Sequence, residues 1–375
     1  MVTTDYKLFT PLPIGKDLVL KNRVVMGPMG RARTDKDSRA PNDLNVQYYG
    51  ERAGAGLIVS EATPVSSQGY GWLGSPALYT QEHAAGWKKV VDRVHANGGK
   101  IFLQIWHMGR QAHSSFSPEA PEVVSASAIG ITSGHTRNNK GEEVPYEVPR
   151  ALETAEIAGI IDDYRKSATL AKQVGFDGVE IHGGNGYLVD QFLQSATNKR
   201  TDQYGGSIEN RARFLLELIE ALKTVWPSDR IAVRLSPNGA FAGMGSEDNV
   251  ETFIYVLQQL SQLDLAYVAI LDGFGFGYHD KAPLMTAYDI KSHYKGTVIA
   301  ANSYTRDIAE GAIRSGAADA VCFARPYISN PDLAERFQND WPLNPDASYA
   351  DFWDSSRGAE GYTTFPAYAT PKATK

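Results

Sequence analysis

Eight short apolar runs, rich in β-branched and aromatic residues, recur along this 375-residue chain at intervals that helical segments fill. They are RVVMGPM (23–29), GLIVSEA (56–62), KIFLQIW (100–106), GVEIHGG (178–184), IAVRLSP (231–237), YVAILDG (267–273), TVIAANS (297–303) and AVCFARP (320–326). Each is continuously apolar rather than alternating, as expected of parallel strands covered on both faces. Of the stretches between them, IENRARFLLELIEALKTV (208–225) shows helical spacing at Phe214, Leu215, Leu218, Ile219 and Leu222, with Ser207 in the N-cap position. TAEIAGIIDDYRKSATLAKQVG (154–175) closes on Gly175 in a C-cap position. Eight βα units predict an α/β fold: one (β/α)8 TIM barrel over residues 1–375. An open doubly wound sheet is the alternative. It would normally show a Gly-rich turn after its first strand, and MGPMGRAR (26–33) is not G-x-G-x-x-G. Two segments extend beyond a bare barrel: a Pro- and Ser-rich insertion after the third strand (107–153), of a length common in lids, and a C-terminal extension (340–375).

Composition narrows function more than fold. With 42% hydrophobic and 21% charged residues the chain is of the soluble globular type. A net charge of -6 without any basic block argues against a nucleic-acid partner. Cys322 is the only cysteine, which removes a disulfide framework and any cysteine-based zinc or iron–sulfur site. The histidines lack H-E-x-x-H or comparable spacing, so no metal is expected, and G-x-S-x-G is missing. No apolar run approaches a membrane span, and MVTTDYKLFT has no signal pattern, so a cytoplasmic location is expected.

Barrel enzymes carry their chemistry at the C-terminal ends of the strands. Here those ends bear Met29-Gly30-Arg31, Glu61-Ala62, Gln104 with Trp106 and His107, His182 with Asn185, Arg234, Asp272, Asn302-Ser303 and Arg325. The strand starts are plain. Gln104 by itself reads as a buried amide bonded to a neighbouring strand. Arg234, inside an apolar run, needs an anionic or carbonyl-rich partner, whether a ligand or Glu180 or Glu61. His182, Asn185 and Tyr187 share one turn whose glycines let a ligand approach closely. In 300–333 a small-residue turn, a helix, the eighth strand and another turn follow one another, the region where barrels bind phosphate. Backbone N–H groups near Asn302, Ser303, Ala324 and Arg325 are the candidates.

The stretches LFTPLPIGKDLVLKNRVVMGPMGRART (8–34), YYGERAGAGLIVSEATPVSSQGYG (48–71), LQIWHMGRQAH (103–113), GFDGVEIHGGNGYLVDQFLQSATNKRTDQYGGSIENRARF (175–214), FARPYISNPDL (323–333) and GAEGYTTFP (358–366) resemble the old yellow enzyme family of FMN-dependent ene-reductases. The resemblance implies tightly bound FMN, NADPH or NADH as reductant, and electron-poor alkenes (α,β-unsaturated carbonyls or nitroalkenes) as substrates, in a monomer or homodimer. It implies that Gln104 and Arg234 bond the flavin pyrimidine ring and that backbone at Pro28, Met29 and Ala62 lines the ring. The Asn302–Ser303 and Ala324–Arg325 turns would hold the phosphate. His182 and Asn185 would bind the substrate oxygen, and Tyr187 would donate the proton.

The chain also departs from the family. Gly30 stands where relatives have Thr or Cys bonded to the flavin, and Asn185 where many have a second His. Trp72 replaces a substrate-lining Tyr, and Trp353 and Trp106 are further expected lining residues. DGFGFGYHD (272–280) reads either as a pocket rim carrying Phe274 or as a glycine loop without a ligand role. Three other functions compete: a flavin-dependent reductase or isomerase of one specialised metabolite, a phosphate-binding barrel lyase without flavin, and a flavin protein without turnover. The lyase would require a Schiff-base lysine or metal carboxylates, and no lysine stands at any of the eight strand ends.

Overall fold

The computed structural model describes residues 5–119, 122–272 and 277–369. Eight parallel strands form the centre: β1 Val24–Met26, β2 Leu57–Val59, β3 Ile101–Trp106, β4 Gly178–Gly183, β5 Ile231–Leu235, β6 Tyr267–Leu271, β7 Val298–Ala301 and β8 Ala320–Phe323. Each pairs with the next in sequence, and β8 pairs back onto β1, so the sheet closes on itself. The open-sheet alternative is thereby excluded. Each apolar run contains one strand, and most runs extend past its C-terminal end. The excess residues are the loop beginnings that carry polar groups.

The strands are apolar on both faces because each face meets its own core. Val179 and Ile181 of β4, like Leu103 and Ile105 of β3, belong to the shell between sheet and helices. Phe102, Ala232, Tyr267, Ala269, Ile299 and Cys322 fill the barrel interior. The helices after the strands include α1 Asp43–Glu51, α2 Gln81–Ala96, α3 Thr154–Val174, α4 Ile208–Lys223, α5 Asn249–Leu260, α6 Ala287–His293 and α7 Arg306–Ser315. The Ser207 side chain caps α4 by accepting from the Asn210 N–H, and α3 ends at Gly175 with φ of 96°. Phe214, Leu215, Leu218, Ile219 and Leu222 of α4 are all buried. Each such side chain contributes roughly 1.5–3 kcal/mol on burial.

One element was not expected from the sequence. Leu12–Ile14 and Leu18–Leu20 form an antiparallel hairpin turning at Gly15, whose φ is 59°. Its Leu12, Ile14, Leu18 and Leu20 pack with Leu57, Tyr267 and Ala320, the first residues of their strands, so the hairpin stoppers the N-terminal mouth. The opposite mouth is left for the site. The described residues between Trp106 and Thr154 form only short pieces, among them a two-residue parallel pair (Val124–Ser125 with Arg150–Ala151) and an antiparallel one (Thr136–Arg137 with Glu143–Val144).

Candidate active site

The turn after β4 is fixed by side chains from three directions. At Gly184 a Cβ would lie 2.7 Å from Ser236 Oγ, so only glycine lets the turn settle onto the loop after β5. The Asn185 N–H donates to Ser236 Oγ (2.6 Å), and the Asn185 carbonyl accepts from Gln111 Nε2 (2.8 Å). The Gly186 N–H donates to Asp190 Oδ2 (2.9 Å) and its carbonyl accepts from Gln191 Nε2 (2.7 Å). Asn185 and Gly186 take φ of 57° and 74°. This left-handed path is one that Asn and Gly tolerate best. Burial pushes the Asp190 carboxyl up to about 7, against the pull of the Gly186 N–H and Gln194.

The path brings three rings together. His182, on the inner face of β4, and Tyr187 meet edge to face at 4.8 Å, and Tyr187 meets Trp106 likewise at 4.9 Å. Trp72 and Ala62 pack against the same small cluster as Trp106 and Tyr187. Trp353, 37% exposed, stands edge-on to Trp72 at 6.0 Å. His182 Nδ1 and Trp106 Nε1 are buried without a hydrogen-bond partner among the described residues. Burial, with a smaller contribution from Arg234, pushes the His182 imidazole down to about 3, so it is neutral at ordinary pH. Burial, and then Tyr146, raises the Tyr187 phenol above its ordinary range, so it keeps its proton. Phe274, the expected rim residue, lies outside the described residues.

Beneath these rings the barrel interior holds a polar layer. Gln104 on β3 is in register with Glu180 on β4, and its Nε2 donates to Glu180 Oε1 (2.7 Å). The Tyr267 phenol donates to Glu180 Oε2 (2.9 Å). Arg234 is in register with His182, one inward layer nearer the open mouth, and its Nη1 approaches Cys322 Sγ at 4.0 Å. Neither of the carboxylates considered from sequence takes Arg234 as a hydrogen-bonded partner. Glu61 instead accepts from the Arg31 N–H (3.0 Å) and the Tyr49 phenol (3.2 Å). A guanidinium only 8% exposed, with one weak thiol contact, is the kind of donor that receives an anionic or carbonyl-rich ring.

The phosphate candidates are also neighbours. Ala301 of β7 is in register with Cys322 of β8, so the turns Asn302–Ser303 and Ala324–Arg325 leave the barrel side by side. Asn302 and Ser303 have φ of 103° and 57°, and Asn302 Nδ2 is tied to the Asp272 carbonyl (2.7 Å). Pro28, Met29 and Gly30 follow β1, the strand beyond β8, and a Cβ on Gly30 would meet no atom within 4 Å. A guanidinium with one weak thiol contact, orphaned ring nitrogens, open space at Gly30 and two adjoining turns fit a planar heterocycle bearing a phosphate. No group of three or more His, Cys, Asp or Glu side chains able to hold a metal ion occurs among the described residues. No helix among them is long and apolar enough to cross a membrane.

Sequence reasoning missed how the rim is anchored. Arg31, wholly buried, donates through Nη2 to the carbonyls of Asp351 (2.9 Å) and Gly361 (2.8 Å) and through Nε to that of Phe352 (3.2 Å). Arg33 adds the Gly358 carbonyl (3.0 Å). The segment carrying Trp353 is therefore tied to the residues that follow Gly30. The dense R-A-R after MG was the available signal.

Known proteins share this fold. The family model described as the NADH:flavin oxidoreductase / NADH oxidase family matches residues 7–344. The chain belongs to this family. It is a flavin-dependent oxidoreductase of the old yellow enzyme type, with FMN as cofactor and a nicotinamide nucleotide as reductant. It is 38% identical over 366 residues to a probable flavin mononucleotide-dependent alkene reductase of Leishmania infantum, covering 96% of this chain and 97% of that protein. The structure of morphinone reductase in complex with tetrahydroNAD matches with a TM-score of 0.89 at 41% identity, over 97% of this chain and 98% of that one. The old yellow enzyme homologue from Zymomonas mobilis matches with a TM-score of 0.90 at 38% identity, over 96% and 99%.

Proposed function

We propose that this protein is an ene-reductase for activated alkenes, α,β-unsaturated carbonyl compounds or nitroalkenes, with His182, Asn185 and Tyr187 as its catalytic residues. The observation that carries this reading is the convergence of a neutral, buried His182 with a protonated Tyr187 on one glycine-rich turn. When bound, FMN supplies the hydride, taken beforehand from NADPH or NADH. Gln104 and Arg234 hold the pyrimidine edge of the flavin. Pro28, Met29, Gly30 and Ala62 border the ring, and the Asn302–Ser303 and Ala324–Arg325 turns hold the phosphate.

His182 and Asn185 donate to the substrate oxygen. As hydride adds to the β-carbon, negative charge grows on that oxygen, and fixed donors stabilise it. Losing one such donor typically costs about 10²–10³-fold in rate. A neutral imidazole suits this role because it donates without carrying a proton the enolate would strip away. Tyr187 then gives its phenolic proton to the α-carbon. Trp72, Trp106, Trp353 and Phe274 are proposed to line the substrate, with 107–153 as a lid-like insertion and 340–375 as an extension of one barrel domain.

Deuterium placement tests this directly. With 2-cyclohexenone, deuteride-labelled nicotinamide should place label at the β-carbon and D2O at the α-carbon, and Tyr187→Phe should slow formation of the α-labelled ketone. Label scrambled between the two carbons, or no saturated ketone at all, would refute the reading.

A further inference from the structure

Below the proposed flavin platform lies Glu180, a fully buried carboxylate that the proposed reaction does not use. Each of its oxygens accepts one hydrogen bond, Oε1 from Gln104 Nε2 (2.7 Å) and Oε2 from the Tyr267 phenol (2.9 Å). In the strand register it lies between Gln104 and Ala232, neither of which carries a charge. A carboxylate this deep is costly unless it has partners or a nearby opposite charge. Burial raises the Glu180 carboxyl, and the first influence opposing that rise is Arg234, ahead of either hydrogen bond. Arg234 has no carboxylate within ion-pair distance among the described residues, and its attraction favours the ionised form of Glu180.

An ionised carboxylate accepts hydrogen bonds and cannot donate them, so it forces Gln104 to turn its nitrogen inward. The amide orientation is thereby settled by chemistry rather than by fit alone. One N–H and the carbonyl oxygen of Gln104 stay available to a ring lying above. The charge acts in the same direction at longer range. An anion under the flavin makes it harder to place a further negative charge on that ring, and Arg234 makes it easier.

We infer that Glu180 is a positioning residue for the flavin: it locks the Gln104 carboxamide and offsets the charge of Arg234, so that it holds down the reduction potential of the bound FMN. This rests on the proposed placement of the flavin over Gln104 and Arg234. Neither Glu180 nor Tyr267 touches the substrate in this account.

The test uses the FMN-loaded protein and its Glu180→Gln and Glu180→Asp variants, with flavin potential, FMN dissociation constant and melting temperature measured for each. Glu180→Gln removes the charge at nearly constant shape. Its potential should rise, moving the equilibrium between NADPH and bound flavin towards reduced flavin on the order of tenfold, the size expected of one poorly screened charge a few ångströms beyond contact. Glu180→Asp keeps the charge but falls short of Gln104, so it should keep the wild-type potential while binding FMN more weakly. A folded Glu180→Gln protein with wild-type potential would overturn the inference. If that variant does not fold, Glu180→Asp decides: unchanged FMN affinity overturns it, and weakened affinity at wild-type potential supports it. A wild-type protein that binds no FMN would overturn both this inference and the flavin placement, whereas failure in the variants alone leaves that placement standing.

Discussion

The imidazole of His182 and the phenol of Tyr187 stand edge to face, with 4.8 Å between centroids and 72° between planes, although four residues of chain lie between them. A strand continuing past Gly183 would carry Tyr187 away from the barrel. The left-handed step at Asn185 and Gly186 returns it, and Asp190, Gln191, Gln111 and Ser236 hold that step through its own N–H and carbonyl groups. The polar groups of the turn's backbone are thus used up within the protein, and the side chains are left for chemistry.

Tyr187→Phe keeps the ring packing against Trp106 and His182 and removes only the phenolic hydroxyl. Reoxidation of reduced enzyme by 2-cyclohexenone should slow by about 10²–10⁴-fold, the usual range for loss of a positioned general acid. Reduction by NADPH should be unchanged. Stopped-flow measurement of the two half-reactions separates them, and equal slowing of both would point to a structural role for the phenol.

Acidification should expose the buried imidazoles. The folded-state value of His182 is about 3, below the ordinary 6.5, so an unfolded chain gains a proton on acidification before the folded one does. The stability this contributes is fully present above about pH 6.5 and is lost as pH falls from there towards 3. His107, also held at about 3 by burial, acts with the same sign. Urea unfolding of wild type and His182→Asn across that window should show the smaller acid loss in the variant. Asp190 acts oppositely: its carboxyl is held up at about 7 against an ordinary 3.8, so its contribution is present in acid and lost as pH rises through 7. The stability of Asp190→Asn should therefore gain on wild type between about pH 4 and pH 7.

The barrel was legible because parallel strands with two covered faces have to read as continuous apolar runs, and eight of them leave few architectures. Ser207 and Gly175 marked helix ends because caps are local chemistry. The hairpin at Leu12–Leu20 was not legible. Its strands have three residues each, and its purpose, closing the lower mouth, exists only once the barrel does. The partners of Arg31 and Glu180 were hidden for the same reason. They lie 320 and 76 residues away in the chain, and nothing local to either residue names them.

Glycine substitutions separate open from filled space in the segment that follows β1. Gly30→Thr places its Cβ where no atom lies within 4 Å, so stability should change by no more than about 0.5 kcal/mol. Gly27→Ala would bring a Cβ to 2.5 Å from Cys322 Sγ, and overpacking of this kind costs about 1–3 kcal/mol. Thermal melts of both variants check the contrast. A destabilised Gly30→Thr would mean that the space beside the ring is smaller than described.

Arg31→Met leaves the carbonyls of Asp351, Phe352 and Gly361 without their charged donor. Buried groups deprived of such a partner cost about 1–3 kcal/mol each, so the variant should be less stable by on the order of 3 kcal/mol. Trypsin should then cut at Arg357 before the barrel unfolds. Wild-type resistance at that bond in the variant would show that other contacts hold the segment.

A flavin barrel of this kind should pass electrons from nicotinamide to an activated alkene at one site. An anaerobic titration of the purified protein with NADPH, followed by 2-cyclohexenone, tests it most directly through the visible spectrum. The yellow protein should bleach with NADPH and regain its colour stoichiometrically with the enone. A protein that bleaches and stays bleached through a series of enones and nitroalkenes would contradict it.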